Sequence, residues 1–129
     1  MAKRDLYSNI GVVQAVAPAV LTATNTATGV DLRDFNSATV VINTGAIAGA
    51  GNFTPKLQES DEAAANYADV TAADLLGSFP AALAADSVYK VGYKGNKRYV
   101  RTVLTLNSGT SIAASAVIVR GHANLAPVA

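Results

Sequence analysis

The feature that most constrains the fold is a set of short runs in which side chains alternate with a period of two residues. In 111–120, Ile112, Ala114, Ala116 and Ile118 alternate with the residues between them, and 38–43 is a β-branched run closed by Thr44-Gly45. A period of two places successive side chains on opposite faces of a β-strand. We therefore predict an all-β chain.

Turn residues separate about seven or eight such runs at intervals of roughly 8–12 residues, a spacing typical of β-sandwiches and jelly rolls. Two strands are predicted in 11–32, with Pro18 in the first and Thr28-Gly29 as a turn before the second. In the run 53–59, Pro55 indicates an edge strand or a bulged one, because proline cannot donate to the ladder. We predict an antiparallel, jelly-roll-like β-sandwich.

The C-terminal third predicts a three-stranded antiparallel meander. The alternating run 87–93 is followed by Gly95-Asn96, a pair typical of two-residue hairpin turns, and 97–106 is the expected return strand. The turn 107–110 then leads into the strand 111–120. This interpretation requires a positive φ at Gly95.

The remaining segments complete a single domain over 1–129. Thr71-Ala-Ala-Asp74 fits a capping box that Gly77 would end after about one and a half helical turns, and 61–67 is a second possible turn. The segment 59–86 holds six of the nine acidic residues and is predicted to be a long solvated crossover. The ends, 1–8 and 121–129, are predicted to be flexible arms.

Composition excludes several classes of protein. Alanine accounts for 26 residues, and the charge-free runs 6–30, 35–55 and 102–119 hold 64 of the 129. The absence of cysteine excludes disulfide scaffolds, thiolate metal sites and a thiol nucleophile. A single histidine excludes multi-histidine metal sites, and a net charge of +1 provides no global field towards nucleic acid or membrane. We expect no cofactor, no metal and no small-molecule substrate.

The best candidate for an interaction site is the basic segment, residues 89–101, which holds five of the ten basic residues and three of the five tyrosines. Cations that meet phosphate and tyrosines that stack on bases would suit nucleic acid. The alternatives are a structural hairpin with a charged tip, and a surface that meets an acidic partner or the 59–86 segment of a neighbouring copy. The candidate residues are Lys90, Tyr93, Lys94, Lys97, Arg98, Tyr99 and Arg101.

Other candidates favour structural interpretations. The acidic run 59–62 lacks the spacing of a calcium loop, and the glycine-rich stretch 45–51, predicted to be a flexible loop, lacks the Lys-Ser/Thr of a phosphate loop. His122 lies in the tail, where we expect an interface residue, because no Gly-x-Ser-x-Gly elbow occurs. No pairing of a nucleophile with a base is evident, so we predict no catalytic residue and no enzyme.

Four segments resemble small virion structural proteins of tailed bacteriophages. The first is Val-Gly-Tyr-Lys-Gly-Asn-Lys-Arg-Tyr-Val-Arg at 91–101, and the second is Phe-Thr-Pro-Lys-Leu-Gln-Glu-Ser-Asp at 53–61. The third is Asp-Leu-Arg-Asp-Phe-Asn-Ser-Ala-Thr-Val at 31–40, and the fourth is the tail Gly-His-Ala-Asn-Leu-Ala-Pro at 121–127. Together these segments lie between residues 31 and 127.

The resemblance implies a capsid decoration, or cement, protein with a jelly-roll-like β-sandwich. Its partner would be the major capsid protein, and it would form homo-oligomers that bridge capsid subunits on the surface of the virion. A position in the tail or at the head–tail junction stays open, as do a nucleic-acid-binding module and a carbohydrate-binding sandwich, although tryptophan is absent. We do not expect nucleic acid or a membrane as the partner.

Overall fold

Two antiparallel β-sheets pack face to face in the computed structural model, which describes residues 5–125. The strands are β1 (Gly11–Leu21), β2 (Asn25–Thr26), β3 (Val30–Asp31), β4 (Phe35–Ala48), β5 (Asn52–Ser60), β6 (Ala68–Asp69), β7 (Leu75–Leu76), β8 (Val88–Tyr93), β9 (Tyr99–Ser108) and β10 (Ser111–Ala123). Helix is confined, within these residues, to two 3-10 turns, Tyr7–Asn9 and Ala72–Asp74. The predicted all-β sandwich is confirmed.

Sheet I has the strand order β1-β10-β4-β8-β7, and sheet II has the order β2-β9-β5-β6, with β3 also paired to β9. The longest pairing joins β4 and β10, whose register runs from Phe35 opposite Ala123 to Ala48 opposite Ser111. The chain crosses from sheet I to sheet II between β1 and β2 and returns between β3 and β4. It crosses again between β4 and β5, returns between β6 and β7, and crosses once on each side of β9.

The core lies between the sheets and follows from the alternation. Inward-facing residues of β4 and β10, such as Ile42 and Ile118, meet inward-facing residues of β5 and β9, such as Phe53 and Leu104. All four of these side chains are at most 1% exposed. Burial of this apolar area is the main favourable contribution to folding.

The predicted C-terminal meander is wrong. The strands at 88–93, 99–108 and 111–123 exist, but β8 pairs with β4 and β7, β9 pairs with β5, and β10 pairs with β1 and β4. Gly95 is not among the glycines with positive φ, because 94–98 crosses from one sheet to the other instead of forming a two-residue turn. Each strand buries one apolar face, and that face can be covered in either sheet, so alternation does not determine pairing.

Several boundaries also differ from the predictions. Gly45–Ala48 belong to β4, so the predicted loop 45–51 is reduced to a tight turn at 49–51. Gly121–Ala123 belong to β10 and not to an arm, because they pair with the start of β4. Of the predicted arms, 1–4 and 126–129 lie outside the described residues.

The long segment after β5 crosses between the sheets as predicted, through β6 on sheet II and β7 on sheet I. Its helix is shorter than predicted: one 3-10 turn, in which the Thr71 side chain makes no capping hydrogen bond. Residues 61–65 form bends and no helix, because Ser60 Oγ donates to the Ala65 carbonyl and ties this segment into a loop. No helix in the described part of the chain is long and apolar enough to cross a membrane.

Two buried threonines differ in whether their hydroxyl groups have hydrogen-bond partners, and they provide a matched test of what such a bond contributes to stability. Thr102 is fully buried and its Oγ1 has no hydrogen-bond partner, whereas Thr44 Oγ1 donates to the Ala84 carbonyl and accepts from Ser87 N. An unsatisfied buried hydroxyl costs about 1–3 kcal/mol. We expect Thr102→Val to raise the free energy of unfolding by about 1 kcal/mol and Thr44→Val to lower it by a similar amount. Chemical denaturation measures both, and a loss of stability in Thr102→Val would contradict the assignment.

Candidate interaction surface

The basic segment lies at one end of the sandwich, where the chain leaves β8 in sheet I and enters β9 in sheet II. Its backbone is fixed from both sides: Lys94 N donates to the Asp74 carbonyl, and Leu32 N donates to the Arg98 carbonyl. The candidate residues are therefore distributed over two strands and a crossover.

Tyr93 is the buried member of the candidate set. Its side chain points into the end of the core, its hydroxyl donates to Glu59 Oε1 at 2.7 Å, and it accepts from Lys97 N at 3.1 Å. Burial, and then the bond to Glu59, raise the pKa of Tyr93 above its usual value. Tyr93 is a structural residue that joins the two sheets, and it is not available to a partner.

Gly95 is required at this crossover for packing and not for its backbone dihedral. A Cβ on Gly95 would lie 2.5 Å from Tyr93 Oη and 2.6 Å from Cζ, so the ring would have to move away from Glu59. We expect Gly95→Ala and Tyr93→Phe each to lower the free energy of unfolding by about 1–2 kcal/mol, because both remove the same hydrogen bonds. The double variant should lose less than the sum, measured by denaturation; strict additivity would contradict the shared mechanism.

Arg98 is bound to Asp31. Its Nε and Nη2 donate to the two carboxylate oxygens of Asp31 at 2.9 and 2.8 Å, and its guanidinium carbon lies 5.0 Å from the centroid of the half-buried Tyr99 ring. Arg33 N also donates to Asp31, while Arg120 Nη1 donates to the Asp31 carbonyl. This bidentate geometry uses two of the five N–H donors of Arg98 and pairs its charge with a carboxylate of the same chain.

Lys97 and Arg101 are also engaged within the chain. Lys97 Nζ lies 3.0 Å from Asp61 Oδ2, Arg101 Nε donates to Gln58 Oε1 at 2.8 Å, and the Arg101 guanidinium carbon lies 4.0 Å from the centroid of the Tyr67 ring. The acidic partners of the basic segment, Asp31 for Arg98 and Asp61 for Lys97, therefore lie in the same copy of the chain. Lys90 and Lys94 are exposed and form no ion pair within residues 5–125.

The Arg98–Asp31 pair predicts an acid-dependent loss of stability. The bond from Arg98 lowers the pKa of Asp31 against a smaller opposing effect of burial. A carboxylate whose folded-state pKa lies below its unfolded value, about 3.9, stabilises the fold above that value, and the contribution is lost as pH falls through the folded-state pKa. We expect the melting temperature of the wild type to fall more between about pH 5 and pH 2 than that of Asp31→Asn. Glu62→Gln, an exposed carboxylate without an ion pair in 5–125, is the control and should follow the wild type; parallel profiles for all three would refute the prediction.

An open, polar cleft of about 500 Å³ lies beside this network, between the start of β4 and the crossover 94–98. Asp34, Asn36, Ser37, Lys97 and Arg98 contribute polar side chains to its walls. Two of these, Lys97 and Arg98, already have carboxylate partners, so the cleft presents no unpaired cluster of one charge.

The structure brings His122 close to Ser37, a pairing that the sequence analysis missed. His122 Nδ1 and Ser37 Oγ are 2.7 Å apart, and the His122 carbonyl accepts from Asn36 Nδ2. These residues are 85 positions apart, and only the pairing of β4 with β10 joins them. No carboxylate among residues 5–125 hydrogen-bonds to His122, so the third member of a catalytic triad is not present there. The pair holds the end of β10 against β4.

The acidic run 59–62 forms hydrogen bonds and an ion pair at the end of the sandwich where the basic segment lies. Glu59 accepts from Tyr93, Ser60 Oγ donates to the Ala65 carbonyl and accepts from Glu62 N, and Asp61 pairs with Lys97. Within 5–125, no group of three or more His, Cys, Asp or Glu side chains is placed to hold a metal ion.

The outer faces of the two sheets differ in charge. On sheet II, Lys56, Asp69 and Arg101 face outward near one another. On sheet I, the outward positions of β1, β10, β4 and β8 carry one charge, that of Lys90. The central part of this face consists of Val12, Gln14, Ser115, Val117, Val119, Thr39, Val41, Asn43, Val88, Lys90 and Gly92. Leu76 of β7 covers Gly92 on this face and is itself exposed.

We call this set the outer face of sheet I. It is broad and apolar to weakly polar, and sequence reasoning missed it because its residues come from four segments that are distant in the sequence. The charge-free runs 6–30, 35–55 and 102–119 were the available signal, since they include β1, β4 and most of β10.

No family model matches the chain, and no curated protein matches it. Among solved structures, the chain is similar to the SPBc2 prophage-derived protein YomS, with a TM-score of 0.51 and 14% identity over 87% of this chain and 95% of that one. Two further matches have a TM-score of 0.44: the structure of infectious bursal disease virus, Gx strain, at 11% identity over 88% of this chain and 32% of that one, and a structure of Bacillus endospore appendages at 9% identity over 94% and 96%. The match to YomS establishes a shared fold over nearly the whole of both chains.

Proposed function

We propose that the chain is a non-enzymatic structural protein of a bacteriophage virion, and more specifically a capsid decoration protein that oligomerises on the head shell and bridges major capsid subunits. The observation that carries the proposal is the outer face of sheet I, a broad surface with one charge. An exposed surface of this kind is typical of a face that packs against another protein.

The chemistry of this face suits attachment to a protein shell. Val88 is 68% exposed and Leu76 is 58% exposed, while Thr39, Asn43 and Ser115 supply hydrogen-bonding groups between them. Apolar anchors among small polar residues bury area without isolating charges, whose desolvation would weaken binding.

The segments that resemble phage virion proteins meet at one end of the sandwich. Segment 91–101 contacts 31–40 through Arg98 and Asp31, and contacts 53–61 through Tyr93 and Glu59. The tail meets 31–40 through His122 and Asn36. These contacts give a structural reason why the four segments occur together. The fold that the chain shares with a prophage-derived protein also supports the proposed virion role.

Nucleic-acid binding through the basic segment is the weaker alternative. Three of its five cations, Lys97, Arg98 and Arg101, already have partners in the same chain, which leaves Lys90 and Lys94 for phosphate. Binding to oligonucleotides that weakens steeply with salt and is lost in Lys90→Gln/Lys94→Gln would favour this alternative.

Co-sedimentation with phage head shells tests the proposal. We expect the wild type to pellet with shells, and Val88→Glu to reduce the bound fraction at least about tenfold, because a carboxylate would be desolvated at the interface. Thr26→Glu, an exposed position on sheet II, is the matched control and should bind like the wild type.

Electron microscopy of decorated particles then separates a head position from a tail or head–tail position. Absence of the wild type from shell pellets at every concentration, together with its absence from purified virions, would refute the proposal. Detection in tails alone would retain the virion role and refute the decoration role.

A further inference from the structure

The four edges of the two sheets differ in the length of the strand that forms them. Sheet I ends on one side in β7, and sheet II ends in β6 on one side and in β2 and β3 on the other; each of these strands has two residues. The fourth edge is β1, which has 11 residues and pairs with β10 along one side. In the described part of the chain, no backbone hydrogen bond joins β1 to any strand other than β10.

The β1 edge lacks the features that usually protect an exposed strand. Proteins commonly protect edges with charged side chains, proline, bulges or very short strands. No charged residue occurs in 6–30, and Val12 is 57% exposed. The register irregularities and Pro18 lie between Gln14 and Ala19, so Gly11–Gln14 is a regular stretch without an edge-protecting feature.

We propose that the Gly11–Gln14 edge of β1 pairs antiparallel with the same edge of a second copy, so that two copies of sheet I join into one continuous sheet across a two-fold axis. The N–H and C=O groups of the edge that have no partner strand are a template for another β-strand. A two-fold axis presents the same segment to itself in the antiparallel sense.

The identity of the occupant follows from charge and geometry. When 11–14 meets its own copy, no charges face one another, so the desolvation and repulsion that keep charged edges apart do not arise. On the outer face, Val12 of each copy lies close to the axis, beside Val119 of β10, and adds apolar contact to the backbone bonds. Four residues on each edge make a small interface, so we expect a weak dimer that forms as concentration rises.

The pairing does not depend on the phage assignment. The edge can dimerise in a chain that binds no capsid, and a monomeric edge variant can still bind shells through Val88 and its neighbours on β8. Self-association and shell binding are therefore measured separately.

Sedimentation equilibrium over a wide range of concentrations tests the proposal. We expect the wild type to shift from monomer to dimer mass as concentration rises, and Val12→Lys and Gln14→Lys each to weaken dimerisation at least about tenfold, because they place two like charges near the axis. Val88→Lys is the matched control: Val88 is at least as exposed as Val12 and lies on the same face, but on β8 at the opposite side of sheet I from β1, so this variant should dimerise like the wild type. Thermal melts confirm that the variants fold.

Amide hydrogen exchange provides the second readout. Outward-pointing amides within 11–14 should become protected as concentration rises, in the wild type and Val88→Lys but not in Val12→Lys. A wild type that stays monomeric at the highest concentration, or protection absent from 11–14, would overturn the proposal. If Val88→Lys weakened dimerisation as much as Val12→Lys does, the contact between copies would lie on the outer face of sheet I, and the proposed edge pairing would be wrong.

Discussion

Phe53→Ala is expected to lower the free energy of unfolding by about 3–5 kcal/mol. The ring of Phe53 is 0% exposed and belongs to the core cluster between the sheets, opposite Leu106 on β9. Truncation removes the transfer free energy of the ring and leaves a cavity that the surrounding strands fill incompletely. Since domains of this size are stable by about 5–15 kcal/mol, the loss is a large fraction of the total.

Urea denaturation at pH 7 measures the loss, with Tyr7→Ala as the matched control. Tyr7 has an aromatic ring of similar size but is 88% exposed, so its truncation should change the free energy of unfolding by about 0.5 kcal/mol or less. Phe53→Leu keeps most of the side-chain volume and should lower the free energy of unfolding by about 1–2 kcal/mol. This variant can be measured in its place if Phe53→Ala does not fold. Equal effects of Phe53→Ala and Tyr7→Ala would contradict the location of the core.

Gly109→Ala is expected to lower the free energy of unfolding by about 3 kcal/mol or more. Gly109 lies between β9 and β10 with φ of 81°, where an L-residue costs about 1–2 kcal/mol. A Cβ there would also overlap the Ala50 carbonyl oxygen and lie 2.7 Å from the Gly49 carbonyl oxygen. Both neighbours are backbone of the β4–β5 turn, so two crossovers would have to separate.

Gly77→Ala provides the control for backbone conformation alone. Gly77 has φ of 85°, nearly the same as Gly109, but the nearest atom to its Cβ would be the Lys90 carbonyl oxygen at 3.8 Å. Its substitution should cost about 1 kcal/mol, and the difference between the two variants reports the overlap at the crossover. Thermal denaturation of both variants measures this difference. If both lose the same stability, the close approach of the two turns is wrong.

The alternation of side chains located most strands but did not determine their partners. The strands at β5, β8, β9 and β10 were located to within a few residues, because their alternation is clear, whereas β4 extends into the predicted loop 45–51. The hairpin at Gly95 was wrong because a short alternating strand buries the same apolar face whether it lies beside its neighbour in sequence or in the opposite sheet. The glycines with positive φ among the described residues are Gly49, Gly77 and Gly109, and the turn at Gly109 joins the two sheets instead of closing a hairpin.

Composition located the basic segment as the candidate site, and the contacts in the structure changed its interpretation. The concentration of cations in the basic segment is evident in the sequence, but their partners, Asp31, Asp61 and Gln58, lie 36–67 positions away. The Ser37–His122 pair and the outer face of sheet I depend on the register of β4 with β10, which a linear sequence does not display.

The sequence by itself determined that the chain is an all-β domain of low charge, because the two-residue period and the spacing of turns are local properties. The tertiary structure decided which strands pair, which cations are neutralised and which edge stays open. The physical reason is that pairing and ion contacts join residues far apart in the chain, and their free energy depends on which apolar faces are buried together. A charge-free run at 6–30 is thus a sequence property, whereas its position on an unpaired edge is a property of the fold.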